Sequence, residues 1–315
     1  MLNLISTIKD SCVENYYPKG WDFYKILECC KHKKEDVFER QSFWHKDFTP
    51  VMCKDMTAFE VKFGHEIALT IKEAREKKQK LAMILPAGPV GMYKWAVFFL
   101  KEWKVSCDHL YTFSMDEWSD SEGNELGLDC PGSFGKAIIE AFYKPLGELA
   151  PPHQQRYFAT RSCLPTYVET INRLRREGAQ LVTVFGIGRC FHIAFWEPHF
   201  AEEFETESEW KKATYRLGAK LNPLTIEQNA LWWFKGLIPA VPARANTIGP
   251  GIFLSSDKVI GGCYGTISGM ALWTTLRYSP SIWVPSSFMP TMPGKLFFTE
   301  DATDALIPDS FYEVV

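Results

Sequence analysis

Apolar positions change their spacing several times along the chain, and each change predicts an element. From Met56 to Lys77 they fall at Phe59, Val61, Phe63, Ile67, Ala68 and Ile71, mostly the spacing of one helix face. Leu81–Leu85 is a short unbroken apolar run stopped by Pro86-Ala-Gly-Pro89, the pattern of a buried strand. A dense apolar helix is expected over Met92–Trp103 and a second strand over Leu110–Phe113. Helices follow over Ser133–Leu146 and Thr166–Arg176, then a third buried strand over Leu181–Phe185, ended by Gly186-Ile-Gly188. Later strands are expected at Ala245–Ile248, Val259–Tyr264, Ser281–Val284 and Lys295–Thr299. Strands alternating with helices predict an α/β domain with a mainly parallel sheet and helices on both faces. Residues 1–54 lack this rhythm. They are rich in Lys, Glu, Cys and aromatics, with Lys31, Lys33 and Lys34 close together on what reads as a solvated face. They are expected to form an N-terminal extension of short helices and loops, ahead of an α/β domain over 55–315.

Composition narrows the function classes. Thirty-five Lys+Arg against 38 Asp+Glu leave a net charge of −3, with 46% hydrophobic and 23% charged residues, as in an ordinary globular protein. There is no basic excess to hold a phosphate backbone, so a nucleic-acid partner is not expected. No apolar run reaches the roughly 18–20 residues of a membrane span, and Met1–Lys9 lacks the basic start of a signal peptide. The nine cysteines are odd in number and form no C-x-x-C, which points to free thiols in a reducing cytosol rather than disulfides or a zinc site. The 11 Trp, 12 Tyr and 23 Phe imply a bulky core and leave a homo-oligomer open. Stacking of a sugar on an exposed Trp is the second reading of that aromatic load.

In a parallel α/β sheet the ligand sits beyond the carboxyl ends of the strands. Three strand-to-helix turns therefore carry the candidate chemistry: 86–91, 114–119 and 186–198. Asp116 and Glu117 follow directly on the second strand in Phe113-Ser-Met-Asp-Glu-Trp118. A carboxylate there suits a general base, while a helix N-cap is the structural alternative. The third turn reads Gly186-Ile-Gly-Arg-Cys-Phe-His-Ile-Ala-Phe-Trp-Glu-Pro198. His192 with Glu197 can form an acid–base pair working near neutral pH; a loop histidine bonded to backbone is the alternative.

At these residues the chain resembles the glucosamine-6-phosphate deaminase (isomerase) family. That family carries F-x-M-D-E-Y after one strand and G-x-G-x-D-G-H-I-A-F-N-E-P after another, in the same order and at similar separation. The resemblance runs from about Asp55 to Leu306. The related 6-phosphogluconolactonases share the fold but usually show D-E-R and G-x-D-G-H-T-A-S-L-F-P, further from Trp118 and Ile193-Ala-Phe-Trp-Glu-Pro198. The resemblance implies a three-layer, Rossmann-like α/β fold. It also implies conversion of an amino sugar phosphate from aldose to ketose with release of ammonia, without metal or other cofactor. Asp116 would move the proton between C2 and C1, His192 would open the pyranose ring, and Glu197 would orient His192. Gly88, Gly186 and Gly188 would line the substrate.

The departures from that pattern are specific. Cys190 stands where the family has an aspartate two residues before the histidine; a thiol of ordinary pKa about 8.5 is mostly neutral at pH 7. A nucleophilic Cys190 is a less common outcome than a small buried thiol. The family's phosphate loop, P-S/T-G-G-S/T-P, is replaced by Pro86-Ala-Gly-Pro-Val-Gly91, which has no hydroxyl and whose Pro89 has no N–H to donate. Ser268 falls at or near the family's phosphate lysine, and Lys220 or Leu221 near its lid arginine. Anion binding would then fall to Thr266, Ser268 and a helix N-terminus, helped by Arg189, Arg216 or Lys220; the last two are equally expected as surface charges. The expected function is an isomerase or deaminase acting on an amino sugar phosphate or related sugar. A sugar-binding or sensing protein that has lost turnover, or a lactonase-like hydrolase, is the alternative.

Overall fold

A computed structural model describes residues 4–304 of the chain. Its centre is a seven-stranded sheet in the order β1-β10-β9-β6-β2-β3-β5, every neighbouring pair parallel. The strands are β1 Phe48–Cys53, β2 Leu81–Leu85, β3 Leu110–Ser114, β5 Arg156–Tyr157, β6 Gln180–Gly186, β9 Lys258–Cys263 and β10 Gly294–Thr299. A second, antiparallel sheet in the order β4-β8-β7 joins β4 Asp116–Trp118, β8 Arg244–Ile248 and β7 Tyr215–Lys220.

The three layers follow from strand alternation. In β2, Leu81, Met83 and Leu85 join one buried cluster, while Ala82 and Ile84 join the cluster on the other face. The first cluster is completed by helices Met56–Glu76 and Gly91–Glu102 and by 134–146. The second is completed by helices Tyr167–Arg176 and Gly269–Arg277. Helix Met56–Glu76 starts at Asp55, whose side chain accepts from Ala58 N at 2.7 Å. Phe59, Phe63, Ile67 and Ile71 bury its inner stripe, and Val61 falls outside it, half-buried.

Several elements differ from expectation. Ala245–Ile248 is a strand, but it lies in the small antiparallel sheet. Ser281–Val284 closes on itself as a turn, Val284 N donating to Ser281 O at 2.9 Å ahead of Pro285. The helix over 134–146 contains a π-helical turn at Ile139–Tyr143. Residues 48–53, expected to fall in the extension, form the edge strand β1 beside β10.

The segment ahead of β1 is tied to the same body. Helix Phe23–Cys30 lies on helix Gly269–Arg277. Trp21 Nε1 donates to Trp283 O at 3.0 Å, Trp44 Nε1 to Leu276 O at 2.8 Å, and Lys34 pairs with Glu300. All nine cysteines are free thiols. Among the described residues no cluster could hold a metal ion, and no helix is long and apolar enough to cross a membrane.

Candidate functional site

The chain leaves the large sheet at Ser114 and enters the small one at Asp116. Met115 bridges the two, its N–H donating to Leu85 O (3.0 Å) and its carbonyl accepting from Ile248 N (2.9 Å). Asp116 thus stands where the two sheets part, facing a cavity at the carboxyl end of the parallel strands. Its carboxyl is buried, and among the described residues nothing hydrogen-bonds it. Burial pushes its pKa well above the usual carboxylate range, and the neighbouring Glu117 pushes the same way.

Because residues 116–118 are a strand rather than a turn, adjacent side chains point to opposite faces. Glu117 therefore turns away from the cavity. Its carboxyl accepts from Trp118 N (2.9 Å), Ser133 Oγ (3.1 Å), Phe134 N (3.0 Å) and Gly135 N (2.7 Å). It closes the N-terminus of helix Phe134–Ile138, where negative charge meets unpaired amides.

The other half of the site is the loop after β6. Gly188 N donates to His192 O (3.1 Å) and Phe191 N to Gly188 O (2.8 Å), which folds the loop back on itself. Phe191 and Ala194 hold left-handed φ values of 66° and 54° within it. A Cβ at Gly188 would sit 1.8 Å from His192 Nε2, so only glycine lets the imidazole lie there. His192 Nδ1 contacts Glu197 Oε2 and Thr225 Oγ1, each at 3.3 Å. Glu197 is fully buried and its other oxygen accepts from Asn222 N at 3.2 Å. A carboxylate facing Nδ1 holds the N–H on that nitrogen and leaves Nε2 to exchange protons.

The structure brings Asp116, His192, Gly88, Gly186, Gly188 and Ser268 to one cavity wall, with Glu197 directly behind His192. It does not bring the other candidates there. Besides Glu117, Cys190 is buried behind the loop, its Sγ 3.9 Å from Asn222 Oδ1. Burial and the charge of Glu197 raise its pKa, so it is a neutral packing thiol. Arg189 pairs with Glu227 at 2.5 Å, and its N–H donates to Gln228 Oε1. Arg216 pairs with Glu203 at 2.5 Å and lies over the Phe200 ring, 4.1 Å from its centroid. Lys220 lines a separate cavity against the N-terminal segment. Thr266 is exposed outside the wall.

What the sequence did not point to is an aromatic wall. Trp232 and Trp233 reach the cavity from the end of helix Pro223–Trp233, and Tyr264 from the end of β9. The Trp232 and Tyr264 rings lie 4.5 Å apart, centroid to centroid. A Cβ on Gly88 would stand 2.9 Å from the Trp233 ring, so the Pro86–Pro89 loop and these rings are continuous. Gln228 and Asn229 come from the same helix. The only signal in the sequence was the pair of adjacent tryptophans.

The fold is of the three-layer α/β class, with a carboxyl and a carboxylate-backed imidazole at the sheet's carboxyl edge. No family model matches the chain. Glucosamine-6-phosphate deaminase of Caenorhabditis elegans is 28% identical over 241 residues, covering 75% of this chain and 84% of that one. The enzyme of the same name from Drosophila pseudoobscura pseudoobscura is 28% identical over 226 residues, covering 70% and 75%. Among solved structures, a monomeric glucosamine-6-phosphate deaminase superposes with TM-score 0.66 at 21% identity, over 81% of this chain and 99% of that one. The 6-phosphogluconolactonase of Plasmodium vivax gives 0.58 at 16% identity, over 89% and 96%. The chain is thus similar in sequence to glucosamine-6-phosphate deaminases and has the fold seen in that deaminase and in the 6-phosphogluconolactonases.

Proposed function

We propose that the cavity opens the ring of an aldose, with an amino sugar as the leading case, and moves a proton from C2 to C1. The observation that carries this is Asp116 and His192 facing one cavity, the first desolvated and the second backed by Glu197. Ring opening needs a proton removed from the C1 hydroxyl and one delivered to the ring oxygen. His192 Nε2 can do both in turn, because Glu197 and Thr225 fix the ring through Nδ1. Enolisation then needs a base beside C2. A carboxylate with a raised pKa is a stronger base than one in water, and it can return the same proton to C1. Where C2 carries an amino group, the product is an iminium. Water adds to it and ammonia leaves, giving the ketose. Where C2 carries a hydroxyl, the same two proton transfers give the ketose directly.

A sugar-binding protein without turnover is the second reading, favoured by one observation: Cys190 takes the place of a carboxylate near His192. The two readings part on solvent exchange. In deuterium oxide the wild type should exchange the C2 hydrogen of a bound sugar. Asp116→Asn should slow that exchange by roughly 10²–10⁴ while retaining ligand. Exchange unaffected by Asp116→Asn removes Asp116 from the mechanism. Binding without exchange in the wild type turns the reading to the sugar-binding protein.

A further inference from the structure

The cavity is lined by polar groups and aromatic faces rather than by Lys or Arg. Among the described residues no Lys or Arg lies on its wall, and residues 1–3 and 305–315 contain neither in their sequence. The nearest candidate cation by sequence, Arg189, is held by Glu227 outside the wall. The polar groups that do face in are neutral, and Gln228, whose Oε1 accepts from Arg189 N, keeps its amide nitrogen to donate. Asn229 Nδ2 uses one of its two hydrogens on Thr225 O (2.9 Å), and its carbonyl oxygen is left to accept. Ser268 Oγ donates to Tyr264 O (2.7 Å), leaving its lone pairs. A phosphate dianion carries charge that no Lys or Arg on this wall offsets; a neutral sugar hydroxyl can donate to both of these acceptors.

A second observation is independent of the wall. The helix start behind the Pro86–Pro89 loop, at Gly91, is where an anion would find free amides and a positive dipole end. Two of those amides are already used, Met92 N donating to Pro89 O (3.3 Å) and Tyr93 N to Val90 O (3.0 Å), and the Glu60 carboxylate lies beside Gly91. A Cβ on Gly91 would lie 1.8 Å from Glu60 Oε1 and 2.1 Å from its carboxyl carbon. The same carboxylate is felt at the cavity wall, where it adds to burial in raising the Tyr264 hydroxyl pKa. The Glu60 carboxylate makes the cavity a poor place for a phosphate dianion.

We propose that the site takes an unphosphorylated monosaccharide, with the ring's C–H face on the wall of Tyr264, Trp232 and Trp233 and its distal hydroxyls donating to Asn229 and Ser268. The slightly positive C–H hydrogens meet the negative faces of the rings, and the hydroxyls meet neutral groups with free acceptor oxygens. This rests on the reading of the cavity as a sugar site, but not on turnover. It therefore deepens that reading by naming the class of sugar.

The test is calorimetric titration of the full chain with three matched pairs: glucose, glucosamine and glucitol, each against its 6-phosphate. The free member should bind at least about tenfold more tightly than the 6-phosphate in each pair that binds. A 6-phosphate that binds more tightly than its free partner overturns the proposal, as does the absence of binding by all three free members at tens of millimolar. Trp233→Ala, a half-exposed position, should weaken the free sugar about three- to tenfold. Glu60→Gln should raise affinity for the 6-phosphate and so narrow the preference; an unchanged 6-phosphate affinity in this variant removes the electrostatic argument. Binding preference and C2–H exchange fail separately. A free sugar that binds without exchange leaves this proposal standing and sinks the catalytic reading. A sugar phosphate that binds more tightly and exchanges does the reverse.

Discussion

Asp116 illustrates what a buried carboxyl costs its fold. Its carboxyl is buried with no hydrogen bond from any described residue, so ionising it inside the protein is unfavourable. In the unfolded chain the group titrates near about 3.9, while in the folded chain burial holds the proton to higher pH. The folded state therefore binds more protons over that interval. Stability contributed by this group is full below the unfolded pKa and is lost as pH rises through the folded value. Asn at this position carries no such dependence. Asp116→Asn should accordingly gain melting temperature relative to wild type as pH rises from about 4 to about 8, while losing activity. Thermal melts across that range check it, and a difference in Tm that stays flat would show that the carboxyl is solvated.

Elements were legible in proportion to how one-sided or how continuous their burial is. The fully buried run Leu81–Leu85 and the buried stripe Phe59, Phe63, Ile67, Ile71 announced a central strand and a flanking helix. β7 did not announce itself, because its residues are of mixed exposure and its register slips between Arg216 and Ala219. Helix Pro223–Trp233 was equally silent. Its apolar residues fall all round, with Leu231 and Trp233 exposed, so no single face repeats. The aromatic wall was missed for that reason, whereas Asp116, His192 and the glycines were found through contiguous motifs. Glu117 shows the limit of a motif: two adjacent carboxylates look equivalent until the strand sends them to opposite faces. Its role as a helix cap carries a prediction of its own. In Glu117→Gln the side chain keeps one acceptor oxygen and presents an amide either to the N–H groups of Trp118 and Phe134 or to Ser133 Oγ and the N–H of Gly135. Losing those bonds should cost about 1–3 kcal/mol of unfolding free energy, read by urea denaturation. A cost near zero would mean that water serves the helix start equally well.

At the scale of the whole molecule, the segment ahead of β1 serves as backing for the site loop. Trp21 is buried, with its ring 4.8 Å from that of Phe191, the residue held at positive φ immediately before His192. Tyr16 O accepts from Asn222 Nδ2 at 2.7 Å, and Asn222 N in turn donates to Glu197, the carboxylate behind His192. Two chains of contact therefore run from the N-terminal segment to the imidazole, one through packing and one through hydrogen bonds. Truncating Trp21 removes the first. Trp21→Ala should cost about 3–5 kcal/mol of stability, the usual range for emptying a large aromatic site. It should also leave Phe191 unsupported, so that the loop holding His192 populates other arrangements. Ring opening should then slow more than ligand binding weakens, because Trp21 lines the other cavity and not the one walled by Trp232, Trp233 and Tyr264. Lys34→Ala, which breaks a half-exposed ion pair with Glu300 in the same segment, should change stability by less than about 1 kcal/mol and leave exchange intact. Measuring C2–H exchange and sugar affinity for both variants separates the two effects. If Trp21→Ala lowers stability while exchange on the folded fraction stays at the wild-type rate, the segment is a cover for the sheet edge and has no part in placing His192.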